Sequence, residues 1–147
     1  MFTLLTTNQK GAIAETAIAH EAIKLGIGVF RPLSDMRYDL VFDTGDELVR
    51  VQCKWAPLEG DVVILRLYSA RRTASGVRRS FYGSDEIDAF AFYCPATNRC
   101  YFVAMDEIPG RRQLRLRVNS TRNNQASRIR WAKDYEFAAK LSALPGP

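Results

Sequence analysis

The chain has 147 residues, of which 47% are hydrophobic and 11% aromatic, which is enough to build one compact domain with its own core. No apolar run reaches the roughly 18 residues that a membrane span needs, and the N-terminus lacks the basic-then-apolar layout of a signal peptide. We therefore expect a soluble, cytoplasmic protein that does not enter membranes.

The charge is unevenly distributed along the chain. Residues 1–60 carry 6 Lys and Arg against 8 Asp and Glu, whereas residues 61–147 carry 15 against 8. Every basic residue between Arg71 and Arg130 is an arginine, a side chain that binds phosphate oxygens in a bidentate way and stays charged. This bias favours a nucleic-acid partner, although a solvated basic surface without a partner would have the same composition.

The first predicted element is a helix from Asn8, as the N-cap, to about Leu25, with Gly26 and Gly28 after its end. Apolar residues recur along it at the i, i+3 and i+4 spacing of a single buried face: Ala14, Ala17, Ile18, Ala22 and Leu25.

Strand-like runs follow at residues 29–32, 38–43, 47–55 and 62–68, and the turn at 43–46 joins the second and third runs as a hairpin. The arginine-, serine- and glycine-rich segment 71–83 is predicted to be an exposed loop or flap.

A short helical turn at 84–87 and a second hairpin, with strands at 89–94 and 100–104, come next. Residues 110–124 are polar and arginine-rich, and a helix is expected from about 125 to 141, with Ile129, Ala132, Phe137 and Leu141 as packing positions. Cys94 and Cys100 flank the turn of the second hairpin and are expected to be free thiols, with a disulfide between them as the alternative.

Glu15 is the one carboxylate in the small, apolar segment 11–19 of the first predicted helix. Burying a carboxylate among alanines costs free energy unless a cation or hydrogen-bond donors compensate it. Glu15 is therefore a candidate cation ligand, although a position on the solvent-facing edge of the helix would also account for it.

The third predicted strand has one apolar face and one polar face. Val49, Val51, Cys53 and Trp55 alternate with Arg50, Gln52 and Lys54, so Gln52 and Lys54 point the same way. An ordinary amphipathic strand with one wet face would show the same alternation.

The hairpin register adds Asp39 to this polar face. A two-residue turn at Thr44-Gly45 places Asp39 opposite Arg50, and a turn at Gly45-Asp46 places it opposite Gln52. Both registers put Asp39 on the face of Gln52 and Lys54. A helix packed on that face would bring Glu15 within reach of the same point.

With these residues in place, the sequence resembles the PD-(D/E)xK nucleases, and more narrowly the small intron-encoded homing endonucleases whose third motif is Gln-x-Lys. The resemblance extends from about Asn8 to Arg130. The matching segments are Gly11 to Glu15, Tyr38-Asp39-Leu40, Gln52-Cys53-Lys54, and the strand pair made by Ile87 to Pro95 and Tyr101-Phe102-Val103.

The resemblance implies an α/β fold with a central mixed β-sheet flanked by helices in the order αβββαβ, formed by residues 1–147 as a single nuclease domain with a basic DNA-binding loop and a C-terminal helix. The sequence departs from the family pattern at two positions. Tyr38 replaces the proline before the motif aspartate, and Gln52 replaces the acidic residue of the third motif. Because an amide adds an oxygen but no charge, weaker metal affinity is expected.

The function that the resemblance implies is Mg²⁺-dependent hydrolysis of phosphodiester bonds in double-stranded DNA, with homing-type cleavage at a specific site and 5′-phosphate ends. The expected catalytic residues are Glu15, Asp39, Gln52 and Lys54. We expect Asp39, Gln52 and the backbone carbonyl of Cys53 to hold Mg²⁺, with Glu15 as a direct or water-mediated ligand. Lys54 is expected to orient or deprotonate the attacking water.

The expected DNA-binding residues are six arginines: Arg71, Arg72, Arg78, Arg79, Arg115 and Arg117. Since a domain of this size has one active site, cutting both strands requires a homodimer or homotetramer. The alternatives are a Holliday-junction resolvase, a restriction-type nuclease, a DNA-binding module with a decayed active site, and a structural protein that binds acidic partners.

Overall fold

The computed structural model describes residues 4–120 and 128–141, without the side chains of residues 70–72. The N-terminal helix α1 spans Thr7–Lys24 and begins at a capping box in which Thr6 and Gln9 satisfy each other's backbone amides. Thr6 is therefore the N-cap, and the prediction of Asn8 was wrong by two residues. None of the helices in the described residues is both long enough and apolar enough to cross a membrane.

The central sheet has five strands: β1 (Gly28–Phe30), β2 (Leu40–Asp43), β3 (Leu48–Trp55), β8 (Ala89–Cys94) and β9 (Arg99–Ala104). They lie in the order β1-β2-β3-β8-β9. Only the β3–β8 pair is parallel, so the sheet is mixed as predicted.

The chain between β3 and β8 forms four further strands: β4 (Leu58–Glu59), β5 (Val62–Arg66), β6 (Tyr68–Thr73) and β7 (Gly76–Phe81). After β9 come a 3₁₀ turn, η1 (Met105–Glu107), and β10 (Gln113–Arg117). The strands β10, β5 and β4 make a three-stranded antiparallel sheet, and β6 pairs with β7 as a separate hairpin.

The two faces of the central sheet are covered differently. Helix α1 lies on one face of the sheet and buries Ala14, Ile18 and Ala22, which belong to its predicted apolar stripe. The other face, around Phe90 and Phe92, packs against β5 and β10 rather than against a helix. The second helix of the expected αβββαβ order is thus not found among the described residues, because β5 and β10 each supply alternating apolar side chains that bury this face.

Two other predicted elements differ from their prediction. Of the loop or flap expected at 71–83 the structure has the flap, an exposed hairpin in which β6 and β7 pair from Tyr68 with Phe81 to Thr73 with Gly76. The C-terminal helix is confined to α2 (Phe137–Leu141), after a 3₁₀ turn, η2 (Ala132–Tyr135). Residues 125–127, the start of the predicted helix, lie outside the described part of the chain.

Helix formation before α2 is interrupted by extended segments. The chain makes a bridge from Trp131 to Arg117 and another from Glu136 to Tyr101. Arg128 has a φ of 63°, outside the right-handed helical region. The predicted packing positions Ala132 and Phe137 are nevertheless buried, but against opposite faces of the sheet.

Candidate active site

The β2–β3 hairpin adopts the second of the two predicted registers. Asp43 pairs with Leu48 and Leu40 with Val51, so the turn centres on Gly45-Asp46, where Gly45 takes a φ of 93°. Continued by one residue, this register places Asp39 opposite Gln52. The backbone amide of Asp39 donates to the Val51 carbonyl at 2.9 Å, which keeps Asp39 in the ladder just before β2 begins.

Asp39 is fixed through its side chain as well as its backbone. Its Oδ2 accepts a hydrogen bond of 3.0 Å from the backbone N–H of Cys53. Burial raises the pKa of Asp39 and the nearby Glu15 charge raises it further, while the Cys53 N–H and the Lys54 charge lower it. Asp39 is thus a half-buried carboxylate that shares its surroundings with a second anion.

The sequence suggested that helix α1 packs on the polar face of β3, but in the structure it does not. It covers the opposite face, where Val49 and Val51 lie, because its stripe of alanine and isoleucine needs an apolar surface. Glu15 nevertheless acts electrostatically on both Asp39 and Cys53. Its Oε1 lies 2.6 Å from the guanidinium of Arg31, which follows β1.

Gln52 holds a buried oxygen without a partner. Its side-chain Oε1 accepts no hydrogen bond from the described residues, and such a buried acceptor costs about 1–3 kcal/mol if nothing satisfies it. A hard cation held by oxygen ligands would satisfy it. The residues present therefore fit a divalent metal ion at this point.

The thiol of Cys53 is a poor metal ligand. Burial raises its pKa well above the ordinary value, and the charges of Asp39 and Glu15 add to the effect, so the thiol stays protonated at neutral pH. Within the described ranges no three His, Cys, Asp or Glu side chains form a cluster that could hold a metal ion. With only Glu15 and Asp39 as anions, the site depends on amide and carbonyl oxygens.

Lys54 completes the group on the polar face of β3. Burial, together with the Arg66 charge, lowers its pKa to about 8, although Asp39 opposes the shift. Its Nζ donates a hydrogen bond of 2.6 Å to the backbone carbonyl of Tyr68, the first residue of β6. The structure thus brings Asp39, Gln52 and Lys54 together, with Glu15 acting from α1.

The six predicted DNA-binding arginines lie on three strands, the two of the β6–β7 hairpin and β10. Arg78 and Arg79 are exposed on β7, and Arg79 lies over the Tyr68 ring at 5.0 Å. Arg71 and Arg72 belong to the paired strand β6, but their side chains lie outside the described part of the structure.

The other two arginines are on β10. Arg115 is exposed. Arg117 already has partners, because its Nε donates to the Asn119 carbonyl at 3.0 Å and its guanidinium lies 3.9 Å from Asp61.

Sequence reasoning missed two arginines that contact this region. Arg31 pairs with Glu15, and Arg37, two residues before Asp39, contacts the end of β7. The sequence did hold a signal for them: residues 1–60 carry only six basic residues against eight acidic ones. Arg31 and Arg37 are two of those six.

Comparison with known proteins finds a similar fold. The bacterial homing endonuclease I-Ssp6803I has a similar solved structure, with a TM-score of 0.72, 27% sequence identity and coverage of 93% of each chain. No curated protein sequence gives a significant match.

The profile of the PD-(D/E)XK endonuclease family matches residues 5–138, which is most of the chain. Nucleases of this family generally use divalent metal ions, and their substrate is DNA. The chain therefore belongs to the PD-(D/E)XK endonuclease family and is a deoxyribonuclease.

Proposed function

We propose that this deoxyribonuclease is a Mg²⁺-dependent endonuclease that hydrolyses phosphodiester bonds in double-stranded DNA, with residues 1–147 acting as one nuclease domain. The observation that carries the proposal is the buried, unpartnered Oε1 of Gln52 in a register that places it opposite Asp39. An oxygen left without a donor beside a carboxylate is what an oxygen-seeking cation requires.

In this proposal Mg²⁺ is held by the Asp39 carboxylate, Gln52 Oε1 and the carbonyl of Cys53. Glu15 is a direct or water-mediated ligand, since Arg31 already occupies one of its oxygens. When bound, Mg²⁺ supplies positive charge next to a phosphate oxygen. The hydrogen bond from Cys53 N–H to Asp39 Oδ2 limits the freedom of the carboxylate and leaves its other oxygen available.

Lys54 is proposed to orient the attacking water and to help remove its proton. A pKa of about 8 leaves a fraction of the amine neutral near pH 7.5, which is the condition for a general base. The protonated fraction provides charge next to the phosphate. Lys54 uses one N–H for the Tyr68 carbonyl, so its other N–H bonds, or the lone pair of the neutral amine, remain for water or substrate.

DNA is proposed to lie against the β6–β7 hairpin and the exposed side chain of Arg115 on β10, with Arg71, Arg72, Arg78, Arg79 and Arg115 on its phosphates. Arg78 and Arg79 are exposed and have no acidic partner within 4 Å among the described salt bridges. Arg117 is the weakest of the six candidates, because Asp61 and Asn119 already engage it.

More specifically, we propose homing-type, site-specific cleavage. The likeness to a homing endonuclease over 93% of both chains supports this. Cutting the two antiparallel strands of a duplex calls for two active sites. Because each chain carries one candidate site, the active form is proposed to be a homodimer or homotetramer.

The test is to incubate the purified protein and Mg²⁺ with a library of random duplex DNA and to sequence the cut ends. Asp39→Ala and Lys54→Ala should be inactive. Lys24→Ala, on the exposed surface of α1, is the control and should cut like the wild type. One long recurring site supports homing-type cleavage, whereas many short sites indicate a restriction-type nuclease.

Two further outcomes would reject the proposal. Preferential cutting of a four-way junction over linear duplex would identify a resolvase. Salt-sensitive DNA binding by a wild-type protein that cuts no substrate at any Mg²⁺ concentration would identify a decayed site.

A further inference from the structure

The β6–β7 hairpin is joined to the rest of the molecule at its base. It forms a two-stranded sheet of its own, without ladder pairing to the other two sheets. At the base, Tyr68 pairs with Phe81, and their ring centroids lie 6.0 Å apart. The orientation of the hairpin therefore depends on the side chains that hold this base.

Arg37 makes the most extensive of these contacts. Its two terminal nitrogens donate to Ser80 Oγ at 3.1 Å and to the Phe81 carbonyl at 3.2 Å. The guanidinium also lies over the Tyr82 ring, 4.0 Å from its centroid. Arg37 Nε is 3.3 Å from Glu86 Oε2, but this ion pair lacks hydrogen-bond alignment, since the Nε has no hydrogen-bond partner.

The ring under Arg37, that of Tyr82, is half-buried and packs against the core. The Tyr82 ring meets Phe90 edge-on at 5.3 Å, and Phe90 is a buried residue of β8, next to Gln52 in the β3–β8 ladder. Arg37 is thus held between the half-buried Tyr82 ring and the last residues of β7. Its planar guanidinium can stack on the ring and donate two hydrogen bonds at once.

Both strands of the hairpin are consequently tied to the candidate active site. Lys54 holds the start of β6 through the Tyr68 carbonyl. Arg37 holds the end of β7, and it lies two residues before Asp39 on the same chain segment. Lys54 and Arg37 therefore each oppose a shift of the hairpin relative to the site.

We propose that Arg37 is a positioning residue that sets the hairpin at a fixed distance from Asp39 and so selects which phosphodiester reaches the active site. The inference rests on the proposed function, in which the hairpin grips DNA. Arg37 itself does not contact the reacting atoms. Without it the hairpin still binds DNA, but the scissile phosphate is no longer held in one place.

Arg50 offers a matched control. It also makes several hydrogen bonds, to the Asp88 carboxylate and to the Asp85 and Ser84 carbonyls, and its side chain is 32% exposed against 37% for Arg37. None of its described bonds reaches the hairpin. Arg50→Ala therefore measures the effect of losing a structural arginine near the site.

The experiment compares the wild type with Arg37→Ala, Arg37→Lys, Ser80→Ala and Arg50→Ala. A labelled duplex carrying a site mapped from the random library is the probe. DNA affinity is measured in the presence of Ca²⁺. The single-turnover cleavage rate and the position of the cut are measured in Mg²⁺. Hydrogen exchange of residues 68–81 is measured without DNA. Ser80→Ala removes one acceptor of Arg37 and keeps the stack on Tyr82, so it serves as the milder variant if Arg37→Ala does not fold.

For Arg37→Ala we expect an affinity within about threefold of the wild type, a cleavage rate lower by about 10- to 100-fold, and cuts spread over neighbouring phosphates. Arg37→Lys should not restore the cut position, because an ammonium lacks the planar fork. Ser80→Ala should show a smaller loss in the same direction. Hairpin exchange should rise in Arg37→Ala and stay unchanged in Arg50→Ala.

The inference is overturned if Arg37→Ala cuts at the wild-type position with unchanged hairpin exchange, or if Arg50→Ala scatters the cuts equally. If Arg37→Ala is unfolded, a Ser80→Ala protein with wild-type cut position and exchange overturns it as well. Failure of the proposed function would look different, because the wild type itself would then cut no DNA.

Discussion

The backbone N–H of Cys53 and the Oδ2 of Asp39 are joined by a hydrogen bond of 3.0 Å across the β2–β3 hairpin. Asparagine can accept the same bond through its side-chain carbonyl, so Asp39→Asn removes the charge and keeps the contact. The raised pKa of Asp39 means that the ionised carboxyl costs stability. That cost is absent below the unfolded pKa of about 3.8 and fully present above the folded pKa.

At pH 7 without metal, Asp39→Asn should therefore be more stable than the wild type, and it should cut no DNA. Added Mg²⁺ should raise the melting temperature of the wild type and leave the variant unchanged. Thermal unfolding with and without Mg²⁺ checks both expectations. An Asp39→Asn protein that cleaves DNA at the wild-type rate would remove Asp39 from the proposed mechanism.

Gln52→Glu would restore the acidic residue usual in the third motif. A third carboxylate near Asp39 and Glu15 strengthens the attraction for a cation, so half-maximal cleavage should need about tenfold less Mg²⁺. Without metal the extra charge should lower stability, since like charges then repel in a half-buried site. A Mg²⁺ titration of cleavage provides the measurement, with Gln52→Ala as the variant expected to need more metal. An unchanged Mg²⁺ requirement in both variants would place the ion elsewhere.

Arg78 and Arg79 should contribute affinity without sequence preference. Replacing either with alanine should reduce the slope of log affinity against log salt by about 1, because one fewer counterion is released from DNA. Filter binding between roughly 50 and 200 mM salt measures this slope. Lys24→Ala, which removes a cation already paired with Glu21 on α1, should keep the wild-type slope; an equal loss in that variant would mean that only net charge matters.

Acid stability should depend on the contact between Arg50 and Asp88. Arg50 hydrogen bonds lower the pKa of Asp88, so the pair stabilises the fold above the unfolded pKa of about 3.8, and that contribution is lost as pH falls through the lower folded pKa. Asp88 is 41% exposed, which keeps the effect to about 1 kcal/mol or less. Asp88→Asn should therefore reduce stability at pH 7 and flatten its decline below about pH 4, as measured by urea unfolding at each pH. A decline as steep as that of the wild type would contradict this.

The thiols of Cys94 and Cys100 should remain unreactive in the folded protein. They lie on opposite faces of the central sheet, one in each core cluster, so the alternative of a disulfide between them was wrong and both are free. Burial raises the pKa of Cys100 to about 12. Alkylation at pH 8 should label neither residue until denaturant is added, and rapid native labelling of Cys100 would contradict the described burial.

The order of motifs along the chain was sufficient to predict the family, the mixed sheet and the residues of the polar face. The alternation from Val49 to Trp55 predicted a strand with Gln52 and Lys54 on one side, because side-chain direction in a strand has a period of two. The apolar spacing of α1 likewise predicted its buried residues Ala14, Ile18 and Ala22. Each of these signals is local, and the structure bears them out.

Long-range packing decided the remainder. Polar, arginine-rich segments gave no period that distinguishes a loop from an exposed hairpin, so β6 and β7 were missed, and only their mutual pairing makes them strands. The face of the sheet that α1 covers was predicted wrongly. The sequence shows that the helix needs an apolar surface to pack on, but it does not show which face of the sheet provides that surface. The contacts of Arg37 with Ser80 and of Glu15 with Arg31 join residues that no local pattern relates, and only the folded chain brings them together.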